Sequence, residues 1–378
     1  MATTQNEPPT QAVGDQLSDR AKWFLTGLLC LLSLVLIAAL AEGAIRIRQT
    51  LRYGTAQTVE QSYRFDDKLN LRVPIANLSV GHVRTNSLGF RGPEIAQPKP
   101  AHTVRLGFIG ASTTWCGEVS SNDAVWTSLV TAEMGRSFQA ARFDQVNGGV
   151  PGYTLKSSLK NLQYRMAPLQ PDVIVIYHAA NDLSGEMRNL ALAQGLIANT
   201  DGPKTSWLAA HSLLWTLAEK QFDIWNAQRT ARNGSKRLEM TGVVIGEKFK
   251  QDLTELVQAA QQQAKLVAVA TFSTQLRSGQ AEEQQMTAAA SALYYMPFMS
   301  PQGLISAYQQ YNKVIIEVAQ ATGALLIGGA DDIPGNPQHF ADTVHFTDLG
   351  SRAMAARVSG ALRQDKRFTD LVRQAEQR

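Results

Sequence analysis

Asp172-Val173-Ile174-Val175-Ile176-Tyr177 runs straight into His178-Ala179-Ala180-Asn181-Asp182. A near-continuous β-branched run of this length predicts a strand buried on both faces of a parallel sheet. The same rhythm extends outward in both directions. Upstream, Val104-Arg105-Leu106-Gly107-Phe108-Ile109 predicts a first strand, Ala124 to Met134 a helix, Phe143 to Val146 a short second strand, and Leu155 to Met166 a helix. Downstream, Glu247 to Ala264 predicts an amphipathic helix, Leu266 to Thr271 a fourth strand, and Ile305 to Ala321 a helix. Ala324 to Ile327 then predicts a fifth strand and Gly350 to Leu362 a closing helix. Strands alternating with helices place the chain in the α/β class, with an open parallel sheet covered on both faces. Sites in such sheets form beyond the carboxyl ends of the strands.

Length and composition agree with that class. The 378 residues suffice for one large domain plus a membrane or linker segment, and 44% hydrophobic residues with 28 Gly fit a globular chain. Lys and Arg number 36 against 32 Asp and Glu, a net charge of +4, too weak and too scattered to indicate nucleic acid as a partner. The two cysteines, Cys30 and Cys116, sit in unlike contexts and form no disulfide framework. No Cys/His spacing of metal type occurs.

Trp23 to Ala41 (WFLTGLLCLLSLVLIAALA) carries no charge and is long enough to cross a bilayer core as a helix. A permanent signal anchor is expected; the competing reading is a cleaved signal peptide with Ala39-Leu40-Ala41 at its cleavage site. Arg20 and Lys22 precede the run, and Arg46, Arg48 and Arg52 follow it, so the positive-inside rule favours the C-terminal side in the cytoplasm. A single N-terminal apolar segment ahead of a globular domain is, however, an export device. The expectation is therefore a single-pass inner-membrane protein with its large domain periplasmic or otherwise extracytoplasmic.

The expected layout is a disordered tail over residues 1–22, a transmembrane anchor over 23–43, and a linker with a small β element over 44–103. The main domain is expected over 104–365, interrupted at about 183–245 by an insertion rich in Trp (Trp207, Trp215, Trp225). That insertion reads either as an element packed on the core or as a cap or membrane-facing element.

Four loops carry candidate chemistry. Gly110-Ala111-Ser112-Thr113-Thr114 follows the first strand, and Asp342-Thr343-Val344-His345 precedes the last helix. A Ser hydroxyl needs a base to take its proton and an acid to orient that base. Ser112, His345 and Asp342 supply those groups. A tetrahedral intermediate also needs hydrogen-bond donors. The Ser112 backbone N–H, Gly152 in Asn147-Gly148-Gly149-Val150-Pro151-Gly152, and the Asn181 side chain are the candidates, with Gly149 as the alternative glycine. Cys116, His178, His211 and Asp331-Asp332 belong to no matching constellation, although His178 lies close enough in sequence to Asn181 to line the same site.

Four separated blocks in this order resemble the SGNH hydrolase superfamily, the GDSL-type esterases. The resemblance runs from about Val104 to Leu362. It implies a flavodoxin-like three-layer α/β/α sandwich and no metal or organic cofactor. It implies that Ser112 is the nucleophile, that Ser112, Gly152 and Asn181 donate to the oxyanion, and that Asp342 and His345 complete the triad. Two positions depart from the family pattern. Ala111 stands where Asp is frequent, and Ala179-Ala180-Asn181-Asp182 stands for Gly-x-Asn-Asp. The function expected is a membrane-anchored serine esterase acting on an acylated small molecule or glycan. An O-acyltransferase and a non-catalytic glycan-binding or assembly subunit are the alternatives.

Overall fold

A computed structural model describes residues 18–53, 62–197, 206–233, 237–238, 240 and 242–377. Helix α1 (Asp19–Tyr53) precedes two small antiparallel hairpins, β1 (Tyr63–Asp66) with β2 (Leu71–Pro74) and β3 (Ser79–Val80) with β4 (Val83–Arg84). The main strands are β5 (Thr103–Gly110), β6 (Arg142–Asn147), β7 (Val173–Tyr177), β8 (Leu266–Ala270) and β9 (Leu325–Ile327). Helices α2 (Ser112–Trp115), α3 (Trp126–Ser137) and α4 (Leu155–Asn161) lie before β7; α5 (Ala180–Ala193), α6 (Trp207–His211), α7 (Leu213–Asn233) and α8 (Glu247–Gln263) lie before β8. Helices α9 (Glu282–Ala288), α10 (Ala290–Tyr295) and α11 (Pro301–Thr322) precede β9, and α12 (Asp348–Gln364) and α13 (Lys366–Glu376) follow it.

The five main strands pair in the order β6-β5-β7-β8-β9, all parallel. This is the doubly wound flavodoxin-like order, in which the chain reverses direction between the first and third strands. Here those strands are β5 and β7, whose carboxyl ends deliver Ser112 and Asn181. Helices α3, α12 and α13 form one outer layer, and α4, α8 and α11 the other. Every residue of β5, β7 and β8 is buried, which is why these runs show no polar alternation. Arg105 is tolerated in β5 because its guanidinium pairs with Asp144 of β6 at 2.7 Å and donates to the Leu169 carbonyl at 2.7 Å.

Several expected boundaries move. Helix α1 starts at Asp19, so the tail expected to 22 overlaps it, while residues 1–17 lie outside the described residues. So do 54–61 of the expected linker and 198–205 of the expected insertion. The insertion expected from 183 begins later, because α5 buries Leu183, Met187 and Ala191 in the core. The helix expected over Leu155 to Met166 is α-helical only to Asn161; one π turn (Leu162–Met166) and a 3-10 turn (Ala167–Leu169) complete it, where Pro168 has no N–H to continue the ladder. The main domain does not stop at 365. Phe368, Leu371, Val372 and Ala375 of α13 are buried, with Phe368 packed edge-on to Phe138.

The expected boundary at 104 also divides one core, since Phe90 and Ile95 share it with β5. Arg91 is buried to 1% exposure, and its guanidinium donates to the Trp115 carbonyl at 2.7 Å, to Asn122 Oδ1 at 2.9 Å and to the Cys116 carbonyl. The segment before β5 thus holds the turn that follows Ser112.

Helix α1 is long and apolar enough to cross a membrane over Asp19–Arg48. Its side chains from Trp23 to Leu40 are exposed.

Candidate active site

Ser112 opens α2 directly after β5 and is half-buried. The Cys116 N–H closes this short turn on the Ser112 carbonyl at 2.7 Å, with Cys116 itself in the left-handed region at φ 55. At the far end of the sheet's chain path, a tight loop presents the acid and the base. Asp342 Oδ1 accepts the backbone N–H groups of Val344 and His345, each at 2.9 Å. That arrangement leaves Asp342 Oδ2 facing the His345 ring, 2.8 Å from Nδ1. His345 Nε2 lies 2.8 Å from Ser112 Oγ. The structure therefore brings Ser112, His345 and Asp342 into one hydrogen-bonded line.

Two braces hold that line. Thr343 is buried between Asp342 and His345, and its hydroxyl donates to the Ala288 carbonyl at 2.6 Å while accepting the Ala292 N–H at 3.2 Å. Asp348, at the start of α12, accepts the Ser120 N–H at 2.8 Å and its hydroxyl at 2.5 Å. The loop after Ser112 is thereby tied to the loop after His345.

The candidate oxyanion donors differ in availability. Gly149 lies so close to the Ser112 turn that a Cβ would sit 2.6 Å from the Trp115 nitrogen, and its N–H is taken by Asn147 Oδ1 at 3.0 Å. Gly152 has φ +83, a conformation that favours glycine, and its N–H has no acceptor among the described residues. The Ser112 N–H likewise has none. Asn181 Nδ2 donates to the Tyr153 carbonyl at 2.8 Å, which spends one of its two N–H groups and fixes the amide beside the Gly152 loop. The structure favours Gly152 over Gly149 as the free donor.

His178 is buried and is no part of the Ser112 line. Its Nε2 lies 2.8 Å from Ser158 Oγ and its Nδ1 3.4 Å from Asp182. Asp182 Oδ1 also accepts the Leu155 N–H at 3.1 Å. These contacts lock the strand end carrying Asn181 to the helix after Gly152. Cys116 is buried with its thiol directed at the Thr113 carbonyl, and burial pushes its pKa up to about 12, the reverse of a reactive thiol. His211 and Asp331 lie elsewhere, with His211 Nδ1 on the Trp207 carbonyl at 2.8 Å and Asp331 paired with Arg277. Among the described residues no group of three or more His, Cys, Asp and Glu side chains is placed to hold a metal ion.

Electrostatics suit a base. Burial works against a charged His345 ring, but the Asp342 hydrogen bond and the charges of Glu118 and Asp342 more than offset it, so the His345 pKa is raised above 6.5. For Asp342, burial raises the pKa and the contacts with His345 and two backbone N–H groups outweigh it, leaving the carboxyl below its usual 3.8. Glu118 was not singled out by sequence reasoning. Its side chain is exposed, yet desolvation by the surrounding protein is the main cause that holds its carboxyl above 4.5. Nothing in its local sequence marks it, because its nearness to His345 depends on a contact across the fold. A cavity of about 360 Å³ is lined by Asn181 together with Thr154, Asp182, Glu186, Lys248 and Tyr311 among others; neither Ser112 nor His345 lines it.

Over residues 108–353, well over half its length, the chain matches the model of the GDSL-like Lipase/Acylhydrolase family. No curated protein matches it. Among solved structures it is similar to LAE5, an alpha/beta hydrolase enzyme from the metagenome of Lake Arreo, Spain, at 18% identity over 68% of this chain and 94% of that one, with a TM-score of 0.41. It is similar to the lipase/acylhydrolase from Enterococcus faecalis at 16% identity, 68% and 95% coverage, and a TM-score of 0.41. It is similar to Axe2, an acetylxylan esterase from Geobacillus stearothermophilus, at 13% identity, 68% and 93% coverage, and a TM-score of 0.40.

Proposed function

The chain belongs to the GDSL-like lipase/acylhydrolase family and is an ester-bond hydrolase, and we propose that Ser112 is its nucleophile, His345 its general base and acid, and Asp342 the acid that orients His345. The observation that supports these roles is the unbroken line of two 2.8 Å contacts from Asp342 Oδ2 through His345 to Ser112 Oγ. Ser112 Oγ attacks the acyl carbonyl carbon while His345 Nε2 takes the hydroxyl proton. The oxyanion that forms accepts hydrogen bonds from the N–H groups of Ser112 and Gly152 and from the free N–H of Asn181. Collapse breaks the bond to the alkoxy oxygen, which leaves as an alcohol with the proton from His345. Water then attacks the acyl-enzyme with His345 again as base, and the acid is released with Ser112 restored.

The finer reading is an O-acyl esterase anchored by α1, its catalytic domain on the periplasmic side of the inner membrane, removing small acyl groups from exported glycans. It rests on the one helix among the described residues long and apolar enough to cross a membrane, which lies ahead of a hydrolase domain, an arrangement that delivers the domain to the compartment where such glycans lie. Labelling the full chain with a fluorophosphonate tests the nucleophile directly. The adduct is expected on the peptide containing Ser112; an adduct on another serine, or none, would overturn the assignment. A panel of O-acetylated glycans tests the substrate class, and release of acetate from aryl esters but from no glycan would remove the glycan reading.

Two further outcomes follow from the same roles. Asn181→Ala is expected to lower kcat by roughly 10²–10³ with KM little changed, because the donor acts on charge that develops only in the transition state. A loss confined to KM would remove Asn181 from the oxyanion site. Only a neutral imidazole can accept the Ser112 proton, so activity should rise with pH through the His345 pKa, with the midpoint of the acid limb above 6.5. Glu118→Gln removes one negative charge that holds this pKa up and should move the limb to lower pH. Glu118 is exposed, so water screens it and the shift should be smaller than that from altering Asp342. A limb unmoved in a pH series of kcat/KM would show that the charge of Glu118 does not reach the base.

A further inference from the structure

Helices α6 and α7 are fastened to the end of α1. Glu42 stands one residue beyond the apolar run Trp23–Ala41, which is about 1.5 Å along the helix axis. Its carboxylate accepts the backbone N–H groups of Leu213 at 3.1 Å and Leu214 at 2.8 Å and the Ser212 hydroxyl at 2.9 Å. It thus occupies the N-terminal turn of α7, where unpaired N–H groups and the helix dipole favour an anion. Arg46, paired with Glu42 at 2.7 Å, donates to the His211 carbonyl at 3.2 Å. The α6–α7 junction is therefore pinned at the level where the apolar surface of α1 ends.

From that level α7 carries an aromatic stripe. At about 100° per residue, Trp215, Phe222 and Trp225 fall within an arc of roughly 80°. They are exposed to 44%, 62% and 51%, and Trp207 of α6 to 73%. Arg229 lies on the same arc, its guanidinium 5.4 Å from the Trp225 ring centroid. The other side of α7 faces the protein, where Leu213 and Ile224 are half-buried and the helix packs on α10. The aromatic face of α7 is thus left uncovered, while on the opposite side Leu213 and Ile224 are half-buried and Leu217 is 45% exposed. Tryptophan with a basic side chain at the end of a spanning helix is the composition that settles at a membrane–water interface.

We propose that α6 and α7 lie in the interfacial layer of the bilayer that α1 enters, with Trp215, Phe222 and Trp225 directed towards the acyl chains. This rests on reading α1 as a membrane anchor. The consequence for the active site is positional. Helix α7 packs on α10, and Ser291 and Ala292 of α10 hydrogen-bond the Thr343 hydroxyl at 2.9 and 3.2 Å, between Asp342 and His345. A chain of contacts thus runs from α7 through α10 to the acid–base loop.

The test uses the full chain in phosphatidylcholine/phosphatidylglycerol vesicles, with an environment-sensitive fluorophore on single cysteines and a nitroxide-bearing phospholipid as quencher. Native Cys30, exposed on α1, reports the anchor; Cys116 is buried and stays unlabelled. In a Cys30→Ser background, Phe222→Cys reports α7, and Gln374→Cys on α13 serves as the aqueous reference. Retained ester hydrolysis shows that each variant is folded. The label at 222 is expected to lose about half its intensity or more to the quencher, as at 30, with little loss at 374. Quenching at 30 without quenching at 222 overturns the proposal and leaves the anchor standing. No quenching at either position removes the anchor reading and the proposal together. A blue-shifted label at 222 that lipid does not quench, and that depends on protein concentration, assigns the face to a second copy and also overturns it.

Discussion

Ser112→Ala is expected to lower kcat for a short-chain aryl ester by on the order of 10⁴–10⁶ while leaving the fold intact. The size follows from chemistry, because a residual site holding only oxyanion donors and substrate contacts retains a small part of the acceleration. The fold should survive for structural reasons. Ser112 is half-buried, the hydrogen bond of its side chain is to His345, and the turn around it is closed by backbone bonds and by Arg91. Removing one oxygen leaves no buried group unpaired except a ring nitrogen that faces a solvent-accessible site. A change in thermal midpoint within a few degrees is therefore anticipated. KM should change little, since the hydroxyl acts on the acyl carbon only as the bond forms. Activity within tenfold of the parent, with the fold verified by circular dichroism, would require a different nucleophile.

The parts of this architecture that could be read from sequence are those fixed by local pattern. Strands β7 and β8 are buried on both faces, and a strand in that position has no polar alternation to confuse with a loop. The meeting of Ser112 and His345 is different in kind. They are 233 positions apart, and the strand order of the sheet sets the distance between them. The Asp342–His345 pair is local, held by two backbone N–H groups within one loop, and a three-residue spacing lets both side chains project from that loop towards one spot. Arg91 and Glu118 escaped because each matters through residues far away in the chain, the Trp115 carbonyl for one and the His345 ring for the other. Helix α13 is a different case. Phe368, Leu371, Val372 and Ala375 follow helical spacing, so their burial beyond 365 is legible in the sequence. Leu183 and Met187 carry the same helical spacing on α5, which places the start of the insertion after that helix.

Asp342→Asn should cost nearly as much as losing the nucleophile, about 10⁴ in kcat, although it changes neither size nor shape. Oδ1 of the new side chain still accepts the Val344 and His345 N–H groups, so the loop keeps its form. The amide nitrogen then replaces Oδ2 beside His345 Nδ1 and presents hydrogens to it. Nδ1 must become the acceptor, which moves the ring proton to Nε2, the atom 2.8 Å from Ser112 Oγ. A base whose working nitrogen already carries a proton cannot take another. The same change removes the hydrogen bond and charge that hold the His345 pKa up, so residual activity should show an acid limb displaced to lower pH. Stability supplies an independent readout with a definite sign. The lowered pKa of Asp342 contributes stability above its unfolded value of 3.8 that is lost as pH falls through the folded one. The raised pKa of His345 contributes stability below 6.5 that is lost as pH rises through its folded value. The two describe one attraction, fully present only between those limits, so the parent should exceed the Asn variant in thermal midpoint most clearly between pH 3.8 and 6.5. A variant with kcat within tenfold of the parent and an unshifted acid limb would mean that Asp342 does not orient the base, whatever its distance from the ring.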